Sequence, residues 1–103
     1  MLKIVFKKLN FFFGIFFFYN QLKKNKLVSS EPEFYILKNF IKKNDSVVDI
    51  GANIGRYSFE LSKIVGHKGL VYSFEPILRN YLTFISLIFF HKTKNIIPFN
   101  VAL

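Results

Sequence analysis

Residues 46–76 read SVVDIGANIGRYSFELSKIVGHKGLVYSFEP, and the spacing of apolar side chains changes twice along them. Residues 46–50 are short, apolar and rich in β-branched side chains, as expected of a strand buried in a parallel sheet. A glycine-containing turn follows, then apolar side chains at helical spacing to about residue 65. Residues 70–74 form a second apolar strand, which ends in the carboxylate Glu75. This order of elements is half of a nucleotide-binding α/β unit.

Three positions in this unit have a physical meaning beyond the hydrophobic pattern. Gly51 lets the backbone leave the tip of the first strand sharply, in conformations barred to residues with a Cβ. Gly55 lets a ligand or the neighbouring strand approach the first helical turn. Glu75 follows Gly51 by 24 residues, at the tip of the adjacent strand. That interval is close to the one at which a carboxylate binds ribose hydroxyls in nucleotide-binding folds.

Several other kinds of site are excluded or disfavoured by residue identity. A dinucleotide fingerprint counted from Gly51 needs glycine where the chain has Asn53 and Arg56, so a nicotinamide-binding domain is disfavoured. No Gly-Lys-Ser/Thr follows the turn, which excludes a P-loop. Cysteine is absent, which excludes disulfides and thiolate metal sites. Neither His67 nor His91 lies at the sequence spacing from another donor residue that a metal site requires. We therefore predict no metal site and place both histidines on the surface.

The string DIGANIG at residues 49–55, followed by VYSFEP at residues 71–76, resembles the FkbM family of S-adenosylmethionine-dependent methyltransferases. The resemblance extends from about Pro32 to Leu103. It implies an α/β fold, the N-terminal half of the Rossmann-like class I methyltransferase fold. Three parallel strands with flanking helices are expected in the order third, second, first, with the first strand at an open apolar edge.

The resemblance assigns cofactor-binding roles to seven residues: Asp49, Gly51, Asn53, Gly55, Glu75, Asn100 and Ala102. The first four would surround the methionine part of S-adenosylmethionine, Glu75 would hold the ribose hydroxyls, and the last two would lie beside the adenine. Each role has a plainer alternative. Asp49 would be a helix-capping carboxylate, the glycines a simple tight turn, and Glu75 a solvated charge before a proline.

The resemblance further implies O-methylation of a hydroxyl group on a sugar or a secondary metabolite, with S-adenosylmethionine as cofactor. The partner is then a small molecule or a glycan. Because the chain carries only the cofactor half of the fold, we expect it to be inactive by itself, and we identify no catalytic base. The alternative is a non-catalytic, vestigial module with the same fold.

The chain divides into a Phe/Lys-rich segment, residues 1–29, and the partial cofactor-binding domain, residues 30–103. A content of 51% hydrophobic and 19% aromatic residues excludes disorder as the main state. The net charge is +9, and residues 1–43 contribute +7, from nine Lys against Glu31 and Glu33. No interleaving of aromatic and basic residues typical of an RNA-binding sheet is present, so nucleic acid is disfavoured as a partner.

The N-terminal segment is predicted to be a helix whose apolar run, Phe11–Tyr19, has lysines on both sides. Nine residues are too few to span a bilayer as a helix, which takes about 20. The run suits peripheral contact with a membrane surface, because the rings can be buried while the lysines stay with the phosphates. A helix packed on a larger protein and a cleaved signal remain alternatives. We expect a cytoplasmic protein, with peripheral membrane association through this run as one of these alternatives.

Two further helices are predicted beside the strands. The first begins at the cap residue Ser30 and continues for about twelve residues. Its apolar face contains Phe34, Leu37, Phe40 and Ile41, and Asn44 takes the left-handed position after its end. The second helix follows Glu75, and a third strand is expected near residues 96–99. The packing stripe of this second helix is predicted to be Leu78, Tyr81, Leu82, Ile85, Ile88 and Phe89, with Phe84, Leu87 and Phe90 on the other face. A helix that is apolar all round is buried on two sides or lies at a membrane.

Overall fold

The computed structural model describes residues 32–103, which alternate between helices and strands. The elements are α1 (Pro32–Phe40), β1 (Ser46–Ile50), α2 (Arg56–Val65), β2 (Leu70–Phe74), α3 (Leu78–His91) and β3 (Ile96–Phe99). The predicted bounds of all three strands are confirmed, and so is the end of α2 at Val65. The predicted N-terminal helix and its apolar run Phe11–Tyr19 lie outside the described residues.

The three strands form one parallel sheet in the order β1-β2-β3, as predicted. Ser46 pairs with Leu70 at one end, and Ile50 pairs with Phe74 at the other. Because the strands are parallel, their carboxyl ends meet at a single edge of the sheet. The turn after β1 and the residue after β2 therefore come together there, which positions the candidate site.

The core lies between one face of the sheet and the helices α2 and α3. Alternation along β2 turns Val71 and Ser73 toward these helices, and both are buried. The buried apolar residues are Ala52, Ile54, Phe59, Leu61, Val65, Val71, Phe84, Leu87 and Ile96. The other face of the sheet is partly exposed, and there the rings of Phe74 and Phe99 stack with centroids 4.9 Å apart. Within residues 32–103, β1 pairs only with β2, and its Val48 and Ile50 are 56% and 45% exposed, so the predicted open apolar edge is confirmed for this part of the chain.

The predicted packing face of α3 is wrong at most positions, although Ile88 packs against the core as predicted. Phe84 and Leu87, predicted for the opposite face, are fully buried, whereas Leu78 and Phe89 are 57% and 78% exposed. Phe84 is held over α2, where its ring meets Phe59 edge-on at 5.8 Å between centroids. The sequence places apolar side chains on both faces of α3, so periodicity could not select the face that packs.

The helix before the first strand is also shorter than predicted, since α1 ends at Phe40. The Asp45 carboxylate accepts the Lys42 backbone N–H at 2.8 Å, which forms a turn where the helix was expected to continue. Phe40 is 76% exposed and not on the packed face, whereas Leu37 and Ile41 contact the core as predicted. The left-handed conformation of Asn44, with φ 74°, is confirmed.

The two histidines differ in their surroundings. His67 is exposed, as predicted. His91 is half-buried, and the centroid of its ring lies 5.3 Å from that of the Phe59 ring, so its predicted surface position is wrong.

Within residues 32–103, no helix combines the length and the apolarity that crossing a bilayer requires.

Candidate functional site

The loop from Gly51 to Gly55 lies at the carboxyl edge of the sheet. The backbone φ angles of Gly51, Asn53 and Gly55 are 75°, 57° and 94°, so every second residue of the loop is left-handed. The backbone N–H groups of Gly51 and Ala52 donate to the carbonyl of Phe74 at 2.8 and 2.9 Å. These bonds hold the loop against the end of β2.

Glu75 joins this loop to the residues that follow β2. Its Oε2 accepts the backbone N–H of Asn53 at 2.6 Å, and its Oε1 accepts that of Ile77 at 2.9 Å. The residue is only 4% exposed. The alternative of a solvated charge is therefore wrong, because the carboxylate is buried and both its oxygens bind backbone amides. Two charge-assisted hydrogen bonds of this kind fix the position of the carboxylate at the edge of the sheet.

Asn100, beyond β3, comes next to Glu75. Its side-chain Nδ2 donates to the carbonyls of Glu75 and Pro76, at 2.9 and 3.2 Å. The third strand thus braces the backbone of the residue that the sequence assigns to the ribose. Ala102 is exposed and takes part in none of these hydrogen bonds. Placement beside an adenine stays a prediction for both residues.

Asp49, at the end of β1, faces the first turn of α2. Its Oδ2 accepts the hydroxyl of Ser58 at 2.6 Å, and the backbone N–H of Ser58 also donates to this carboxylate. Asp49 therefore stabilises the start of α2, as its helix-capping alternative predicts. Burial raises the pKa of Asp49, the hydrogen bonds from Ser58 oppose that rise, and the neighbouring charge of Glu75 adds to it.

Gly55 allows a close approach, but the element that approaches it is helix α3 and not the ligand or neighbouring strand that the sequence led us to expect. The residue is buried, and a Cβ added to it would overlap the ring of Phe84 on α3 and contact Phe59 at 3.0 Å. Its backbone N–H donates to the carbonyl of Ala52 at 2.8 Å. The absence of a side chain at Gly55 thus lets α3 pack over the first turn of α2.

Three polar residues of this region were not singled out in the sequence. Ser58 and Ser73 share a hydrogen bond of 2.7 Å between their hydroxyls, which extends the group around Asp49 into the core. In the sequence, each is a small polar residue at a position where the periodicity of its helix or strand predicts a side chain that faces the core. This pattern could have identified both residues. Asn95 donates to the carbonyls of Ser62 and Gly66 at 2.9 and 2.8 Å, and so satisfies the end of α2. No local pattern indicates that role, because these partners lie about thirty residues earlier along the chain.

No group of three side chains able to hold a metal ion occurs in the described part of the chain.

The raised pKa of Asp49 predicts how stability depends on pH. A carboxyl whose pKa is higher in the folded state contributes stability below its unfolded pKa, and that contribution is lost as the pH rises through the folded pKa. Asp49→Asn removes the charge while its amide oxygen still accepts from Ser58. We expect the Tm of the variant, relative to that of the wild type, to be highest at neutral pH and to decline as the pH falls toward about 4, where Asp49 of the wild type also becomes uncharged. Thermal unfolding by circular dichroism checks this, and a difference independent of pH would contradict it.

The resemblance of this chain to known proteins lies in its structure. No protein-family model matches the chain, and the curated proteins contain no significant sequence match to it. A SAM-dependent methyltransferase from Aquifex aeolicus superposes with a TM-score of 0.60 at 30% identity, over 77% of this chain and 44% of that one. A protein-L-isoaspartate O-methyltransferase superposes with a TM-score of 0.66 at 25% identity, over 72% and 24%. A SAM-dependent O-methyltransferase from Thermotoga maritima gives 0.64 at 15% identity, over 80% and 33%.

This chain therefore covers less than half the length of each of these three structures. What it shares with them is the parallel sheet flanked by helices. The described residues have the Rossmann-like fold of S-adenosylmethionine-dependent methyltransferases.

Proposed function

We propose that this chain forms the S-adenosylmethionine-binding part of a methyltransferase that acts on a hydroxyl group of a sugar or a secondary metabolite. One observation carries the cofactor part of the proposal. The hydrogen bond of 2.6 Å between the Asn53 backbone and Glu75 joins the two halves of the sequence motif at one edge of a methyltransferase-like sheet. The hydroxyl acceptor is supported by the resemblance of residues 49–55 and 71–76 to the FkbM family.

The residues at this edge suit the ribose of the cofactor. A carboxylate offers about four acceptor positions, and the backbone N–H groups of Asn53 and Ile77 use one on each oxygen of Glu75. One position per oxygen is left, which matches the two hydroxyls of a ribose. The two backbone bonds orient the carboxylate before the ligand arrives, so little is lost in ordering it.

The charges at this edge suit the rest of the cofactor. S-adenosylmethionine supplies a methyl group on a positively charged sulfur, and its methionine part carries an ammonium group. Asp49 and Glu75 repel each other enough to contribute to the raised pKa of Asp49. A bound cation relieves this repulsion. In the proposed reaction these residues bind and orient the cofactor, which aligns the methyl group for an in-line displacement by the acceptor oxygen.

Calorimetric titration of the full chain tests the cofactor. We expect S-adenosylmethionine and S-adenosylhomocysteine to bind, because both contain the ribose and the methionine part. We expect NAD not to bind, because Asn53 and Arg56 stand where a dinucleotide fingerprint requires glycine. Binding of NAD without binding of S-adenosylmethionine would overturn the proposal. Because the chain is expected to be inactive by itself, the acceptor is tested with a labelled methyl group in a protein that joins this chain to the rest of a methyltransferase fold. A methyl ether on a hydroxyl survives mild alkali and a methyl ester does not.

A further inference from the structure

Helix α3 carries a line of apolar side chains that faces away from the core. Its members follow at intervals of four, three and four residues, which places them on one side of a helix. We call this line the outer stripe; it consists of Leu78, Leu82, Ile85 and Phe89. Leu78, Leu82 and Phe89 are 57%, 39% and 78% exposed, whereas Phe84 and Leu87 on the opposite side are fully buried. The outer stripe is about 16 Å long at the rise of an α-helix.

The segment that contains the outer stripe carries charges of a single sign. Residues 76–103 contain no Asp or Glu, and their basic residues are Arg79, Lys92 and Lys94 besides His91. Lys92 and Lys94 are exposed just beyond the end of α3, close in sequence to the exposed rings of Phe89 and Phe90. An apolar surface bordered by cations is complementary to an interface that is apolar inside and anionic outside.

We propose that the outer stripe of α3 docks on the surface of an anionic lipid bilayer. In this arrangement Leu82 and Phe89 enter the boundary between headgroups and acyl chains, while the ammonium groups of Lys92 and Lys94 stay at the phosphates. The segment Phe11–Tyr19, with lysines on both sides, has the same chemistry. Two weak contacts on one chain give a stable attachment where either alone is marginal.

Charge favours this occupant over the alternatives. The N-terminal segment and a second copy of the chain would each bring further lysines against a surface that is already basic. A nucleic acid would match the charge, but three of the four outer-stripe residues are leucine or isoleucine, which offer its bases no stacking surface, and stacking supplies much of single-strand binding. The proposal does not depend on the cofactor, because Phe89 and Lys92 lie at the opposite end of α3 from Glu75.

Flotation of the full chain with lipid vesicles tests the proposal, since floated protein is separated from aggregate. We expect the chain to float with vesicles of phosphatidylcholine mixed with phosphatidylglycerol, less with phosphatidylcholine alone, and less in high salt. Leu82→Ser/Phe89→Ser removes two outer apolar groups and should lower the partition coefficient at least about tenfold. Lys92→Glu/Lys94→Glu should lower it selectively on the anionic vesicles.

Tyr35→Ser is the control, because Tyr35 is an aromatic side chain on α1 whose exposure, 61%, lies between those of Leu82 and Phe89, and it should leave flotation unchanged. Circular dichroism checks that each variant is folded, and all should retain the wild-type affinity for S-adenosylhomocysteine. Equal flotation of the wild type and both α3 variants would overturn the proposal, as would binding to neither vesicle. A serine variant that changes only the oligomeric state in light scattering would instead assign the outer stripe to contact between copies, and would also overturn it.

Discussion

Gly55→Ala is expected to destabilise the fold by roughly 2–5 kcal/mol. Two costs add at this position. The φ angle of 94° disfavours any residue with a Cβ, and the new methyl group would overlap the ring of Phe84. Neither can be relieved cheaply, because Phe84 is fully buried and its ring packs against Phe59. Urea unfolding followed by circular dichroism measures the loss as a shift of the midpoint.

Gly66→Ala is the control that separates the two costs. Gly66 also has a positive φ, 73°, but a Cβ there would meet only Lys43 atoms at 3.5 Å, an ordinary contact. It should lose roughly 1–3 kcal/mol, the strain of its φ 73°, ψ −178° backbone alone, a conformation that is essentially restricted to glycine. Adding Phe84→Leu to Gly55→Ala should cost less than the sum of the single changes, since the smaller side chain relieves the overlap. A double variant that costs the full sum of the single changes would mean that close approach of α3 does not constrain Gly55.

Glu75→Gln is expected to weaken binding of S-adenosylmethionine by roughly 10- to 100-fold, because a hydrogen bond to a charged group contributes about 1.5–3 kcal/mol. The carboxamide loses the negative charge and has one acceptor oxygen in place of two. S-adenosylhomocysteine should lose a similar factor, because it has the same ribose. Isothermal titration of the wild type and the variant measures both affinities.

The same variant should also be less stable without ligand. Glu75 looks in the sequence like a solvated charge at a strand tip, whose change to Gln would leave unfolding unaffected. In the structure it is buried, and it accepts the backbone N–H groups of Asn53 and Ile77. The amide nitrogen of Gln would face one of these donors, and a buried unsatisfied donor costs about 1–3 kcal/mol.

Glu60→Gln makes the same chemical change on α2, where the carboxylate pairs with Lys63 at 3.2 Å. Such an i,i+3 pair contributes at most about 1 kcal/mol, so both affinity and stability should stay near wild type. A Glu75→Gln protein with unchanged affinity would remove the main support for the cofactor assignment. A loss of stability without a loss of affinity would leave Glu75 as a structural anchor of the loop alone.

The sequence by itself determined the parts of the fold that depend on neighbouring residues. The bounds of β1 and β2 follow from short apolar runs, and the end of α2 follows from the point near residue 65 where the helical spacing of apolar side chains stops. Strand order followed from the resemblance of the motif, and the coming together of Asp49, Gly51 and Glu75 followed from the geometry of parallel strands. These inferences succeeded because each depends on local conformational preference or on a rule of parallel sheets.

Tertiary structure alone decided which surfaces are covered. α3 carries apolar side chains on both faces, so its sequence allows either face to pack against the sheet. The contact of Phe84 with Gly55 selects the face that is buried. The burial of Glu75 depends on the backbone of Asn53, 22 residues earlier, and the role of Asn95 depends on Ser62 and Gly66. Contacts between residues so far apart have no local signature, because side-chain chemistry specifies what a group can bind but not what the folded chain brings to it.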